Sequence, residues 1–193
     1  MFRLKKISRD KDTVFLKMES DPELVSLGTV KKEKARWLII RGDHLANVGK
    51  TDDAINDFKE AIEIDPDIVD AYLYLAMCCV MKKYDWDTVV ALLKEGLAVP
   101  YSKSEVPLPR INICFQLGQH YLIEKDGDNA KKYLDMGTKL IKDFNSDEKS
   151  IKELRQIKKK MHMKTDIEEQ INALGTQIFA MSKIVEKGDF SGW

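Results

Sequence analysis

Residues 49–66 read GKTDDAINDFKEAIEIDP. Ala54, Ile55, Phe58, Ala61, Ile62 and Ile64 recur with a period of about 3.6 residues, with acids and lysine between them. That pattern predicts an amphipathic helix whose apolar face contains two alanines. Small residues there let another helix approach, and Phe58 fills the gap beside them. Asp65-Pro66 stops the helix, because proline disfavours a helical residue before it. Upstream, Trp37, Leu38, Arg41, Gly42 and Leu45 imply a preceding helix that ends near Gly49. A glycine inside a helix costs about 1 kcal/mol relative to alanine. Gly42 is best explained by a neighbouring helix passing too close for a side chain. The stretch therefore predicts a helical hairpin in which small residues meet large ones.

The pattern recurs. From Gly42 the steps are twelve to Ala54, four to Phe58 and three to Ala61. From Gly118 they are twelve to Ala130, four to Leu134 and three to Gly137. Ala76, Val89, Leu93 and Gly96 repeat the series with one extra residue near KKYDWD (82–87). Gly42 and Ala76 are 34 residues apart, and VPYSKSEVPLPR (99–110) lengthens the step to Gly118. Three hairpins follow, at 35–66, 69–98 and 110–143. On these residues the chain resembles the tetratricopeptide repeat (TPR) family, whose unit is a 34-residue helix–turn–helix with small/large alternation and a closing proline. The first unit matches through Gly42, Gly49, Ala54, Phe58, Ala61 and Pro66. The second has Ala76 and Lys83/Tyr84 near the places of the two glycines, and Gly96 replaces the usual alanine. The third keeps Gly118, Tyr121, Ala130 and Gly137.

The resemblance implies an all-α fold, a right-handed superhelix of TPR-like hairpins with C-terminal capping helices. It also implies that the first helix of each hairpin lines a concave, peptide-binding side. Carried onto this sequence, the first hairpin contributes Arg36, Ile39, Asp43, Ala46 and Asn47. The second contributes Asp70, Leu73, Met77, Val80 and Met81, and the third Asn112, Phe115, Gln119, Leu122 and Ile123. TPR domains that hold acidic chaperone tails use a clamp of lysine, arginine and asparagine. Ile39, Asp43, Tyr74, Asn112 and Gln116 stand at the equivalent places here, so the clamp is missing. The lining is instead an apolar trough with two methionines, suited to an amphipathic helix or apolar peptide. The expected function is a non-catalytic interaction module or adaptor. Two alternatives stand beside it: a self-assembling scaffold, and a chaperone for an apolar secretion substrate. The trough could also be filled by the chain's own N- or C-terminal segment.

Outside the repeats, residues 1–34 leave a short β-hairpin (FRLKKI and TVFLKM flanking SRDKD) or an irregular or helical cap open. Asp21 and Pro22 mark a helix start. Towards the C-terminus, Ile151, Leu154, Ile157 and Met161 mark one helix. Ile167, Ile171, Leu174, Ile178, Met181 and Val185 mark a longer one, at steps of four and three, with Thr165 and Glu168 as a capping box. Helices over 147–187 are expected to cap the last hairpin, or the 167–185 seam pairs with another chain. Residues 188–193, with Phe190 and Trp193, read as a flexible tail.

Composition excludes more than it selects. The 193 residues carry 32 basic and 32 acidic side chains, so no net field recruits nucleic acid or membrane. The charges are segregated, however. Residues 149–164 hold Lys149, Lys152, Arg155, Lys158, Lys159, Lys160 and Lys164 against Glu153, whereas Asp52–Asp70 holds eight acids and one lysine. The basic run lacks aromatic residues for stacking on bases, which disfavours nucleic acid, and opposite stripes could meet between copies. The longest apolar run, IVDAYLYLAMCCVM (68–81), is too short to span a bilayer and carries Asp70. Cys78, Cys79 and Cys114 read as buried free thiols, and with no secretory signal the expected compartment is the cytoplasm.

His44, Cys78 and His120 occupy equivalent places in the three units. Successive hairpins lie about 8–10 Å apart, while zinc ligands must converge to about 2.0–2.3 Å, so these residues are expected to pack rather than bind metal. No nucleophile–base pair or phosphate loop stands on a suitable turn. No cofactor, metal or catalytic residue is assigned.

Overall fold

The computed structural model describes residues 27–101, 106–161, 167–188 and 190, and these contain eight α-helices and no strand. The possible hairpin within 1–18, the helix start at Asp21-Pro22 and the tail beyond Phe190 lie outside the described residues. The helices are α1 (Leu27–Asn47), α2 (Thr51–Ile64), α3 (Val69–Met81), α4 (Trp86–Ala98), α5 (Leu108–Ile123), α6 (Gly127–Ser146), α7 (Glu148–Met161) and α8 (Ile167–Lys187). They fall into two compact units, residues 1–66 and 67–193.

The first unit contains the α1/α2 hairpin. A Cβ placed on Gly42 would lie 2.7 Å from Phe58 Cε1, well inside van der Waals contact, so only glycine fits opposite that ring. Ala35, Leu38, Ala54, Ile55, Phe58 and Ala61 are buried around it. One polar link was not legible in the sequence. Arg41 donates from Nε and Nη2 to the two carboxylate oxygens of buried Asp57, each at 2.7 Å. This planar fork joins α1 to α2, with an exposed Lys34–Glu60 pair at 2.9 Å beside it.

The second unit repeats this design with the α3/α4 and α5/α6 hairpins. A Cβ on Gly118 would sit 2.6 Å from Leu134 Cδ2, the counterpart of Gly42 against Phe58. Gly96 lies against Tyr72 and Ile113, so α4 meets both α3 and α5. The lengthened connection into α5 is held by Arg110, which is buried. Its guanidinium donates to the carbonyl oxygen of Pro100 at 3.0 Å and, more weakly, to that of Leu97 at 3.5 Å. These lie at the C-terminal end of α4, where the helix dipole favours a cation.

The hairpin turns share a backbone form. Gly49, Lys83 and Lys125 all have positive φ, at 82°, 58° and 59°. Each donates its N–H to the carbonyl three residues back, and the next N–H reaches five residues back: Lys50 to Leu45, Tyr84 to Cys79, and Asp126 to Tyr121. This pair of hydrogen bonds satisfies the last carbonyls of the helix and reverses the chain. The second and third turns thus place lysine where glycine is at ease. Asp85 and Asp126 then start α4 and α6, accepting from Thr88 N at 2.8 Å and Asn129 N at 3.0 Å. The extra residue of the second repeat stands between Lys83 and Asp85.

Capping of the third hairpin falls to α8. Ile171, Ile178 and Met181 are buried in one cluster with Ile111, Leu122, Leu134 and Phe144. Gly137 lets Ile178 approach: a Cβ there would be 2.9 Å from Ile178 Cδ1. Ile167, Leu174 and Val185 pack half-buried at the margin of the cluster. The seam expected as a possible partner-helix surface is therefore occupied by the chain's own α5 and α6. Each fully buried isoleucine contributes about 1.5–3 kcal/mol, far more than an exposed seam would retain. Phe190 also departs from the expectation of a free tail. After Gly188 turns the chain at φ 64°, its ring packs on the same cluster and reaches to 3.2 Å from a Cβ placed on Gly127.

Candidate interaction surface

The residues predicted to line a trough divide in two. Leu73 is 4% exposed and Leu122 is 0% exposed, so both belong to the core. Phe115 and Asn112 are half-buried, and Phe115 packs on the α5–α8 cluster. The correction has a physical reason. Helices α3 and α5 have neighbours on more than one side, and a helix so placed must be apolar round most of its girth. In α3, Val69, Ala71, Tyr72, Leu73, Leu75, Ala76, Cys78 and Cys79 are all buried.

What remains outside is nevertheless apolar. Met77, Val80 and Met81 on α3 are exposed at 44%, 39% and 59%, and Ile123 on α5 at 50%. Met81 stands five residues after Ala76, and Ile123 five after Gly118, so they are the same position in successive repeats. Helices α3 and α5 pack against each other. The exposed side chains thus lie towards the C-terminal ends of two adjoining helices. Half-buried Gln119 occupies the α5 place equivalent to Met77, and half-buried Asp70 begins α3. In the first unit, Arg36, Asp43 and Asn47 are exposed, Ala46 is half-buried and Ile39 is buried. The places there equivalent to Met77 and Met81 are Asp43 and Asn47, polar where those of α3 are apolar.

A second feature escaped the sequence reading. The Trp86 ring stacks on His120 at 5.1 Å, His120 meets Tyr121 edge-on at 5.1 Å, and Tyr121 stacks on Tyr133 at 5.6 Å. This ladder ties the start of α4 to α5 and α6. Hydrogen bonding to Tyr121 raises the pKa of Lys94, whose ammonium lies 5.6 Å from that ring. Burial raises the Tyr133 phenol. The only hint in the sequence was the coincidence of Trp86, His120 and Tyr121 at helix ends, and spacing alone does not show that rings separated by 34 residues will stack.

His44, Cys78 and His120, at equivalent places in the three repeats, have separate surroundings. His44 is exposed, Cys78 is buried and His120 is in the ladder. Among the described residues no group of three or more His, Cys, Asp or Glu is placed to hold a metal ion. All three cysteines are buried, and burial pushes the Cys114 thiol up to about 12, so it presents no thiolate at neutral pH. Among the described residues no helix is long and apolar enough to cross a membrane. On α7, Lys149, Lys152 and Arg155 are exposed, and Arg155 forks onto Glu168 at 2.9 Å.

No protein-family model matches the chain, and no curated protein matches it. Among solved structures it is similar to two crystal structures of MamA. One is 15% identical with a TM-score of 0.47, over 93% of this chain and 88% of that one. The other is 14% identical with a TM-score of 0.46, over 93% of this chain and 96% of that one.

Proposed function

We propose that this chain is a non-catalytic, TPR-type interaction module that holds an amphipathic helix against the exposed ends of α3 and α5. The observation that carries the reading is the solvent exposure of Met77, Val80, Met81 and Ile123 on two adjoining helices whose other apolar side chains are buried or half-buried. Methionine, valine and isoleucine offer area without directional demands, and two of the four are methionines that can adapt to varied partners. Met77, Val80 and Met81 stand at i, i+3 and i+4, the spacing of one helix stripe, so an apolar stripe on a partner helix can lie along them. The bound peptide would place leucine, isoleucine or phenylalanine at similar spacing, with polar residues facing solvent.

The experiment is selection of helical peptides on the purified chain from a library with a randomised apolar stripe. Counter-screening would use Met81→Asp, which changes an exposed side chain and leaves the fold intact. Peptides that bind the wild type at least tenfold more tightly than the variant support the reading. Failure to select any such peptide, or selected peptides that bind both equally, would overturn it.

A further inference from the structure

The segregated charges of the chain fall on two helices with matching patterns. On α2, the face opposite Ala54, Phe58 and Ala61 carries Asp53, Asn56, Glu60 and Glu63, at steps of three, four and three. Asp53, Asn56 and Glu63 are exposed and Glu60 is half-exposed. On α7, Lys149, Lys152, Gln156 and Lys159 follow at the same steps of three, four and three. Lys149, Lys152 and Gln156 are exposed, and Ile151 packs inward against the core cluster, which fixes the outward direction of this face. Both rows span about 15 Å along their helices.

From this match we propose that α7 of one copy of the chain pairs antiparallel with α2 of a second copy. In that direction Lys159 stands opposite Asp53, Gln156 opposite Asn56, Lys152 opposite Glu60 and Lys149 opposite Glu63. The single uncharged member of each row meets the other, and each of the three cations meets an acid. The parallel alternative puts Lys152 against Asn56 and Gln156 against Glu60, losing one of the three charge pairs and leaving a lysine and a glutamate each opposite an amide. Antiparallel pairing also opposes the two helix dipoles favourably. The complementary charge is present on the chain itself, which favours a second copy over an anionic lipid or nucleic acid as the occupant. Lys149, Lys152, Asp53 and Glu63 have no ion pair among the described residues, while Glu60 would exchange its exposed pairing with Lys34. Exposed ion pairs are individually weak and salt-sensitive, so the association is weak and belongs to low ionic strength. A two-fold dimer makes the contact twice, and a head-to-tail chain makes it once per copy.

Sedimentation velocity of the full chain, across protein concentration and from about 0.01 M to about 1 M salt, tests this, since the screening length falls from about 30 Å to about 3 Å. Mass that grows with concentration at low salt and association weakened at least tenfold at high salt are expected. Lys149→Glu/Lys152→Glu and Asp53→Lys/Glu63→Lys are each expected to be monomeric, with unchanged helicity by circular dichroism. Mixed together, the two variants are expected to form a mixed complex. A monomeric wild type at every concentration overturns the proposal, as does self-association that both variants retain or failure of the mixture to pair. Binding of anionic vesicles or a single-stranded oligonucleotide through Lys149 and Lys152, with no self-association, assigns the row to that ligand and equally overturns it.

Discussion

Gly118 and Leu134, sixteen residues apart, stand so close that a Cβ on the glycine would come within 2.6 Å of Leu134 Cδ2, and Gly42 and Phe58 repeat the relation at 2.7 Å over the same separation. The hairpins are closed by this contact. Gly118→Ala is expected to destabilise the chain by about 1–3 kcal/mol, the usual range for overpacking a tight contact. Leu134→Ala alone should cost about 2–5 kcal/mol through the cavity it leaves. In the double variant the new methyl enters that cavity, so the combined loss should be smaller than the sum. Urea unfolding of the three variants measures it.

The turns yield a prediction of opposite sign. Lys83 and Lys125 adopt the left-handed conformation that Gly49 adopts in the first hairpin, at a steric cost that glycine does not bear. Both side chains are exposed. Lys83→Gly and Lys125→Gly are expected to stabilise the chain by up to about 1 kcal/mol each, whereas Gly49→Ala should destabilise it. Thermal unfolding midpoints separate these outcomes.

Acid should loosen the same turns. The backbone N–H and hydroxyl of Thr88 donate to Asp85 and hold its carboxyl below the ordinary range. The side-chain amide and backbone N–H of Asn129 do the same for Asp126. Their folded-state values are depressed, so the unfolded chain takes up protons first as pH falls. The stabilisation is fully present above the ordinary aspartate range near 4 and disappears as pH falls through the lowered folded values. With Asp85→Asn and Asp126→Asn combined, the Tm difference between pH 6 and pH 3 should shrink relative to wild type.

The thiols should report opening of the fold. Cys78, Cys79 and Cys114 are buried, and Cys114 is pushed up to about 12 by loss of hydration. A chromogenic disulfide reagent at pH 8 should leave the native chain unmodified over minutes and label three thiols in denaturant. Rapid labelling of Cys114 in the native chain would contradict its placement in the core.

The hairpins were legible because they depend on local pattern: the helical period, Pro66, and the repeated steps from Gly42 and Gly118. The surface was legible only in part. Leu73 and Met77 both fall on the face predicted to line the trough, yet one is buried and the other exposed, in a helix that packs against both α4 and α5. No periodicity within α3 contains that information. Arg41 and Asp57 look like ordinary polar-face residues until the hairpin closes and brings their forks together. Lys83 and Lys125 gave no turn signal, since lysine has no preference for positive φ and is held there by the helix-end hydrogen bonds. Phe190 lies beyond the last regular element, and a side chain at Gly127 would crowd its ring.

The central claim is that the exposed ends of α3 and α5 form the partner surface. Amide hydrogen exchange of the chain, with and without a saturating amount of a selected amphipathic peptide, tests it most directly. Slowed exchange concentrated at residues 77–83 and 119–125 is predicted. Protection confined to α2 or α8, with none at those two helix ends, would contradict it.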